Sequence, residues 1–198
     1  MFLIICQLYW ISYILFPIDL ILAIVVILKL SKDYQEQKKR SRTGVFLNVA
    51  FYELFICLLY YVCWCDFWTI ELNQIFSIVL LIIGIIIVLI GVIPYVISLK
   101  EFKSFKRSVG LDANELITTG IYSRSRNPQL VSWGVAQFGF ALMGHSVFAI
   151  IMCIIWIIIN HPYLLMEEKH LENAFGEKYR EYSKNTPRYF KILKKKIK

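Results

Sequence analysis

Five long apolar runs, separated by short charged segments, set the pattern of this chain. The first covers about residues 8–30, and the opening before it is also apolar, so its start is not defined. Pro17 and Asp19 interrupt it and predict a kink or an interfacial break. The polar segment SKDYQEQKKRSRTG follows. A second run covers about residues 45–65 and a third about residues 75–99, with Gly84, Gly91 and Pro94 inside it. As a helix the third would be roughly 37 Å long, enough to cross a ~30 Å hydrocarbon core with tilt. After a polar stretch come two shorter runs, residues 130–143 and 147–159, joined by Gly144-His145-Ser146. Both are short for full spans. They predict a tight helical hairpin whose ends lie near one membrane face, so the polar clusters bracketing it, LITTGIYSRSRNP and HPYLLMEEKHLENAFGEKYREYSKNTPRYF, should meet.

Composition points the same way. The chain is 58% hydrophobic with a mean hydropathy of +0.60, well above the 45–50% apolar share of soluble domains. Uninterrupted runs, with no ten-residue alternating segments, indicate helices and not a β-barrel. The expected fold is all-α: a polytopic membrane bundle of five spans with a cytosolic, amphipathic C-terminal helix. No linker rich in Gly, Pro or Ser divides it.

The net charge of +8 is concentrated in residues 32–42, 100–126 and 169–198. The loop DFWTIELNQ carries no basic residue. Five spans put every basic segment on one side, with the N-terminus outside and the C-terminus in the cytosol. Beside membrane spans, such patches fit anionic lipid heads better than nucleic acid. The five cysteines all lie in apolar segments without a CxxC, which suits small buried side chains. No histidine has metal-ligand spacing to another His or a Cys, so no metal is expected. The N-terminus lacks a basic n-region and an A-x-A site and reads as a retained span.

Charge at the feet of the hairpin calls for a role. Pro128 suits the first turn of the fourth helix and Asn127 its N-cap. Arg126 then sits at a positive helix end and offers a planar fork to a carboxylate or phosphate; snorkelling to lipid phosphates is the plainer alternative. Glu167 and Glu168 are acids on a basic rim. They would either bind a ligand's cation or hydroxyl, or bridge to Lys169 or Arg126. If the fifth helix continues unbroken, Asn160 and Glu167 share a face, as do His161 and Glu168; the alternative is that Pro162 kinks it or starts a new one. Asn48, Glu53 and Gln137 are expected to face the bundle interior, since a mid-span carboxylate costs roughly 2.5–3.5 kcal/mol. His145 and His170 read as turn and surface residues. Leu171, Phe175, Tyr179 and Tyr182 recur at helical steps, predicting an amphipathic helix that lies on the membrane or folds over the bundle, ended by Pro187.

The series TTGIY–x3–RNP, a hairpin, EE–x2–L–x3–FG–x2–Y–x2–Y and a closing PR resembles the isoprenylcysteine carboxyl methyltransferase family, a broad group of membrane methyltransferases similar here to phospholipid N-methyltransferases. The resemblance covers about residues 110–190; the first three spans match only in being hydrophobic. It implies an integral membrane enzyme using S-adenosyl-L-methionine, with residues 1–99 supplying three spans and residues 100–198 the catalytic region of one compact domain. It further implies that Asn114, Glu115, Leu116, Ile117, Tyr122, Asn127, Pro128, Gln129 and Leu130 line the cofactor pocket. Arg126, Glu167 and Glu168 complete it as catalytic residues, and His161 falls where a substrate-binding Arg is usual. Asn127 and Leu130 depart from the family's usual His and aromatic residue.

The implied activity is methyl transfer to a lipophilic acceptor: an isoprenylcysteine carboxylate, a phospholipid amine or another small lipid. No Gly-rich dinucleotide fingerprint follows a strand, so a cofactor would bind at this membrane rim. Two other classes fit less well: an NADPH-dependent sterol or steroid reductase, and a non-catalytic membrane protein that keeps the fold.

Overall fold

A computed structural model describes residues 10–36, 40–65, 70–102 and 115–190. All regular elements among them are helical: α1 (Trp10–Glu36), α2 (Arg42–Cys65), α3 (Gln74–Glu101), a 3-10 turn (Gly120–Ser123), α4 (Pro128–Met143), α5 (Val147–Phe175) and α6 (Glu177–Asn185). Four of these, α1, α2, α3 and α5, are long and apolar enough to cross a membrane. At 16 residues, α4 is about 24 Å long, short of a ~30 Å core. The fifth crossing expected from the charge pattern therefore has no helix of full length behind it.

Local chemistry sets the helix ends. Ser41 precedes α2, and its Oγ accepts the Gly44 N–H at 3.0 Å, satisfying one of the donors a helix start leaves open. Asp33 of α1 holds that cap in place by accepting from Ser41 N at 2.8 Å and Ser41 Oγ at 2.6 Å, and from Lys29 Nζ at 2.7 Å. Asn73 and Ser146 cap α3 and α5 in the usual way, accepting from Phe76 N and Ala149 N.

Neither proline ends its helix: α1 runs through Pro17, and α5 through Pro162, so no interfacial break falls at the first and no new helix starts at the second. The predicted amphipathic stripe is instead divided at Gly176, whose φ of +55° only glycine adopts without strain. The chain turns there, and the Leu171 and Phe175 side chains still pack with Tyr179, Tyr182 and Leu116. The tail thus folds over the bundle, and α6 ends at Asn185, two residues before Pro187.

The core lies between α1, α2 and α5, around Phe16, Val26, Phe55, Val62, Met152 and Trp156. Phe16 packs edge-on against Phe148, and Tyr34 stacks flat on His170 with ring centres 3.8 Å apart. α1 and α5 therefore run in the same direction. His170 is 7% exposed; it belongs to the interior, not to the surface as its sequence context suggested. α3 packs chiefly on α4. A Cβ at Gly91 would lie 2.5 Å from Ala136 N and 2.6 Å from Ser132 O, so small residues let the two backbones approach as membrane helices do. The rest of α3 shows Ile82, Ile86, Leu89, Ile90 and Ile93 outward, a surface suited to lipid.

The polar residues inside the spans divide. Gln137 is buried as expected, whereas Glu53 is exposed on α2 and does not face the bundle interior. Asp19 is 0% exposed, and neither carboxyl oxygen has a hydrogen-bond partner among the described residues. Cys153 is buried, Cys57 is an exposed thiol and Cys65 is disulfide-bonded, so the cysteines are not uniformly small core residues.

Candidate functional site at the charged end of the bundle

The chain brings the two feet of the α4–α5 hairpin together. Pro128 opens α4, where its missing N–H costs nothing. Asn127 stands at the N-cap but makes no side-chain cap hydrogen bond. Its Nδ2 donates instead to Glu168 Oε1 at 3.1 Å and to the Arg188 carbonyl at 3.3 Å. Arg126 Nη1 donates to Glu168 Oε2 at 3.0 Å and reaches the Tyr179 hydroxyl at 3.4 Å. Arg188 closes the cluster with a two-pronged contact, Nε to Oε1 and Nη2 to Oε2, each 2.9 Å.

Glu168 thus accepts from four donors, which fills the roughly four lone-pair positions of a carboxylate. It is 8% exposed, and burial of that kind is tolerable only when charge and hydrogen bonds are both matched. The Glu168 contact strengthens the hold of Arg188 on its proton and raises its pKa. Burial, assisted by the Glu168 charge, pushes the Tyr179 hydroxyl up to about 12.

Residues 186–190 act as a strap over the RNP turn. The Pro187 carbonyl accepts from Arg126 N at 2.9 Å, and the Arg188 carbonyl from Ser125 Oγ at 3.3 Å. The Tyr182 hydroxyl donates to the Tyr122 carbonyl at 2.6 Å, anchoring α6 on the same segment. Tyr189 OH meets His161 Nδ1 at 2.8 Å.

Glu167 faces elsewhere. Its Oε1 accepts from Arg40 Nη2 at 2.8 Å. Arg40 lies between α1 and α2, is 8% exposed, and also donates to the hydroxyls of Tyr34 and Tyr163. Burial alone would lower its pKa, but Tyr163 and Glu167 reverse this and hold it well above the usual value. Adjacent helix positions diverge by about 100°, so the two glutamates serve separate arginines: Glu167 meets Arg40, and Glu168 meets Arg126 and Arg188.

The other expected cofactor residues fall into three groups. Asn114 lies outside the described residues. Leu116 packs against Tyr179 and Tyr182, Tyr122 packs edge-on against Phe102, and Leu130 packs on the main core; Glu115 is exposed and Ile117 half-buried. Pro128 and Gln129 form the first turn of α4, directly after Arg126 and Asn127. His161 is exposed and its ring is turned to the strap. Glu101, at the end of α3, lies so close to Gly120 that a Cβ there would be 1.9 Å from its Oε1.

Two buried donors on the segment that opens α4 have no acceptor among the described residues: Arg126 Nε, on the contact itself, and Gln129 Nε2. Two guanidiniums against one carboxylate leave one positive charge. The arrangement suits an anionic group that accepts hydrogen bonds. A separate, water-sized cavity of about 10 Å³ lies deeper, lined by Asn48, Asn160 and Tyr163 among others, and is not part of this cluster.

Arg40 and Arg188 escaped the sequence reading as site residues. Arg188 was visible as the R of the closing PR. Arg40 carried no mark that separated it from the other basic residues of its loop.

No curated protein and no solved structure matches the chain. A family model described as phospholipid methyltransferase matches residues 72–178, which is more than half of the chain and reaches back through α3, further than the motifs alone. The match takes in the RNP turn, the α4–α5 hairpin and both glutamates. The chain therefore belongs to the phospholipid methyltransferase family, within the membrane methyltransferases that its motifs resemble.

Proposed function

We propose that this protein is an integral membrane methyltransferase that takes its methyl group from S-adenosyl-L-methionine and gives it to a lipophilic acceptor. The observation that carries this reading is the Arg126–Glu168 contact, with an unused buried donor at Arg126 Nε and a second, Gln129 Nε2, three residues along the chain. Those donors and the surplus positive charge fit the α-carboxylate of the cofactor's amino-acid end. When bound, the cofactor supplies a methyl group activated on a sulfonium.

The protein's share of such a reaction is alignment in a site shielded from water. Glu168, saturated by its four donors, orients Arg126 and Asn127 and does not itself abstract a proton. Arg126 and Gln129 hold the anionic end of the ligand. The acceptor is a lipid-soluble molecule, an isoprenylcysteine carboxylate, a phospholipid amine or another small lipid, that approaches sideways from the bilayer. In the five-span reading, with the N-terminus outside and the C-terminus cytosolic, the charged end of the bundle faces the cytosolic leaflet.

Calorimetry of the purified full chain with S-adenosylhomocysteine tests this. We expect micromolar binding, lost in Arg126→Ala. Absence of binding to the wild type overturns the reading, as does thermal stabilisation by NADPH without stabilisation by S-adenosylhomocysteine.

A further inference from the structure

We infer that Arg188, in the strap after α6, is a positioning residue that keeps Arg126 open to a ligand carboxylate. The inference rests on the proposed function and names a part for a residue that the expected site did not include.

The geometry of one carboxylate shared by two guanidiniums carries the argument. Fork-to-fork pairing is the strongest arrangement available to an arginine and a carboxylate. Arg188 occupies it, with both contacts at 2.9 Å. Arg126 is left with one contact to Glu168, through Nη1 at 3.0 Å. Its Nε is buried and has no acceptor among the described residues. With Arg188 gone, the two-pronged side of Glu168 would fall vacant, and Arg126 would be drawn to rotate onto it through Nε and Nη. The donor now spare would then be consumed inside the protein. The local charge would also fall from one net positive to zero.

Arg188 is not a loose surface side chain that happens to reach this place. Its own carbonyl accepts from Ser125 Oγ and Asn127 Nδ2, and the preceding carbonyl of Pro187 accepts from Arg126 N. Tyr189 is tied to His161. The strap is therefore registered by backbone contacts on the turn that carries Arg126. Those contacts do not depend on the Arg188 side chain, so the side chain can be changed while the strap stays seated.

The test compares two ligands on the full chain in lipid nanodiscs. S-adenosylhomocysteine carries the α-carboxylate; 5′-methylthioadenosine shares the nucleoside and thioether but lacks it. A charge-assisted hydrogen bond contributes about a tenfold or greater preference for the first ligand in the wild type. We expect Arg188→Gln to reduce that preference to about twofold while leaving 5′-methylthioadenosine binding unchanged. Arg188→Lys, which restores the charge without the fork, should recover part of it. A full preference retained in Arg188→Gln overturns the inference, and so does an equal loss of both ligands, which would mark Arg188 as merely structural. If the wild type binds neither ligand, the proposed function itself falls.

Discussion

Glu167 and Glu168 are neighbours in the chain, yet their carboxylates serve different arginines: Glu167 meets Arg40 at 2.8 Å, and Glu168 meets Arg126 at 3.0 Å. One contact ties the α1–α2 connection to α5; the other ties the start of α4 to α5 across 42 residues of sequence. The pair is thus a junction of two kinds, and substitutions should separate them.

Glu168→Ala should damage both stability and ligand binding. It strands Arg126, of which 14% of the side chain is exposed, while Arg188, at 31%, can turn to water. We expect a loss of about 3 kcal/mol, the low end for a broken buried pair, read by thermal unfolding in detergent, with S-adenosylhomocysteine binding abolished.

Arg40→Met should act on stability without abolishing ligand binding. It leaves the Tyr34 and Tyr163 hydroxyls without their donor, at about 2–3 kcal/mol. Glu167 is 31% exposed in its side chain and can hydrate. Adding Glu167→Gln should recover part of the loss in a double-mutant cycle. Complete loss of S-adenosylhomocysteine binding in Arg40→Met would place this cluster in the ligand site after all.

Asp19→Val should raise the thermal midpoint. The native carboxyl is enclosed with both oxygens unpartnered among the described residues, a condition that costs about 1–3 kcal/mol. Valine is near in volume and needs no partner. A fall in the midpoint would show that the carboxyl has a role that packing does not reveal.

Gly91→Ala should loosen α3 from α4, since the added carbon would meet the Ala136 and Ser132 backbones. Overpacking of this kind costs about 1–3 kcal/mol. Ile86→Ala, on the outward face of the same helix, serves as the comparison and should change the midpoint little.

Alkaline pH should unfold the tail before the spans. In the folded state burial holds the Tyr179 hydroxyl at about 12, above the ordinary tyrosine value of about 10, and Tyr182 is shifted in the same direction. A raised folded pKa gives stability that is complete below about pH 10 and is lost as pH rises towards 12. Tyrosinate absorbance should therefore show a late, cooperative step, diminished in Tyr179→Phe. A titration indistinguishable from free tyrosine would refute it.

Much of this could be read before any coordinates. The apolar runs were sufficient for four helices long enough to cross, α1, α2, α3 and α5, because in a bilayer every backbone group must be paired within its own segment. The RNP turn and the EE pair were recognised as meeting because a helical hairpin returns its ends to one face. What misled was local chemistry. Pro17 looked like a kink or a break, the Asn127 side chain like a capping group and His170 like a surface residue, since propensity describes a residue without its neighbours. In the folded chain, Asn127 turns from its helix to Glu168, and His170 stacks under Tyr34.

The sequence by itself determined that the chain is a helical membrane protein with its charge gathered at one end, and placed it in a methyltransferase group. Both follow from patterns that are local along the chain: apolar run length, basic loops and short motifs. Only the tertiary structure decided which arginines each glutamate meets, that Arg188 joins Arg126 on Glu168 while Arg40 pairs separately with Glu167, and that α6 covers the bundle. Those pairings join residues up to 127 positions apart, and no spacing in the sequence encodes the angle at which two side chains leave their helices.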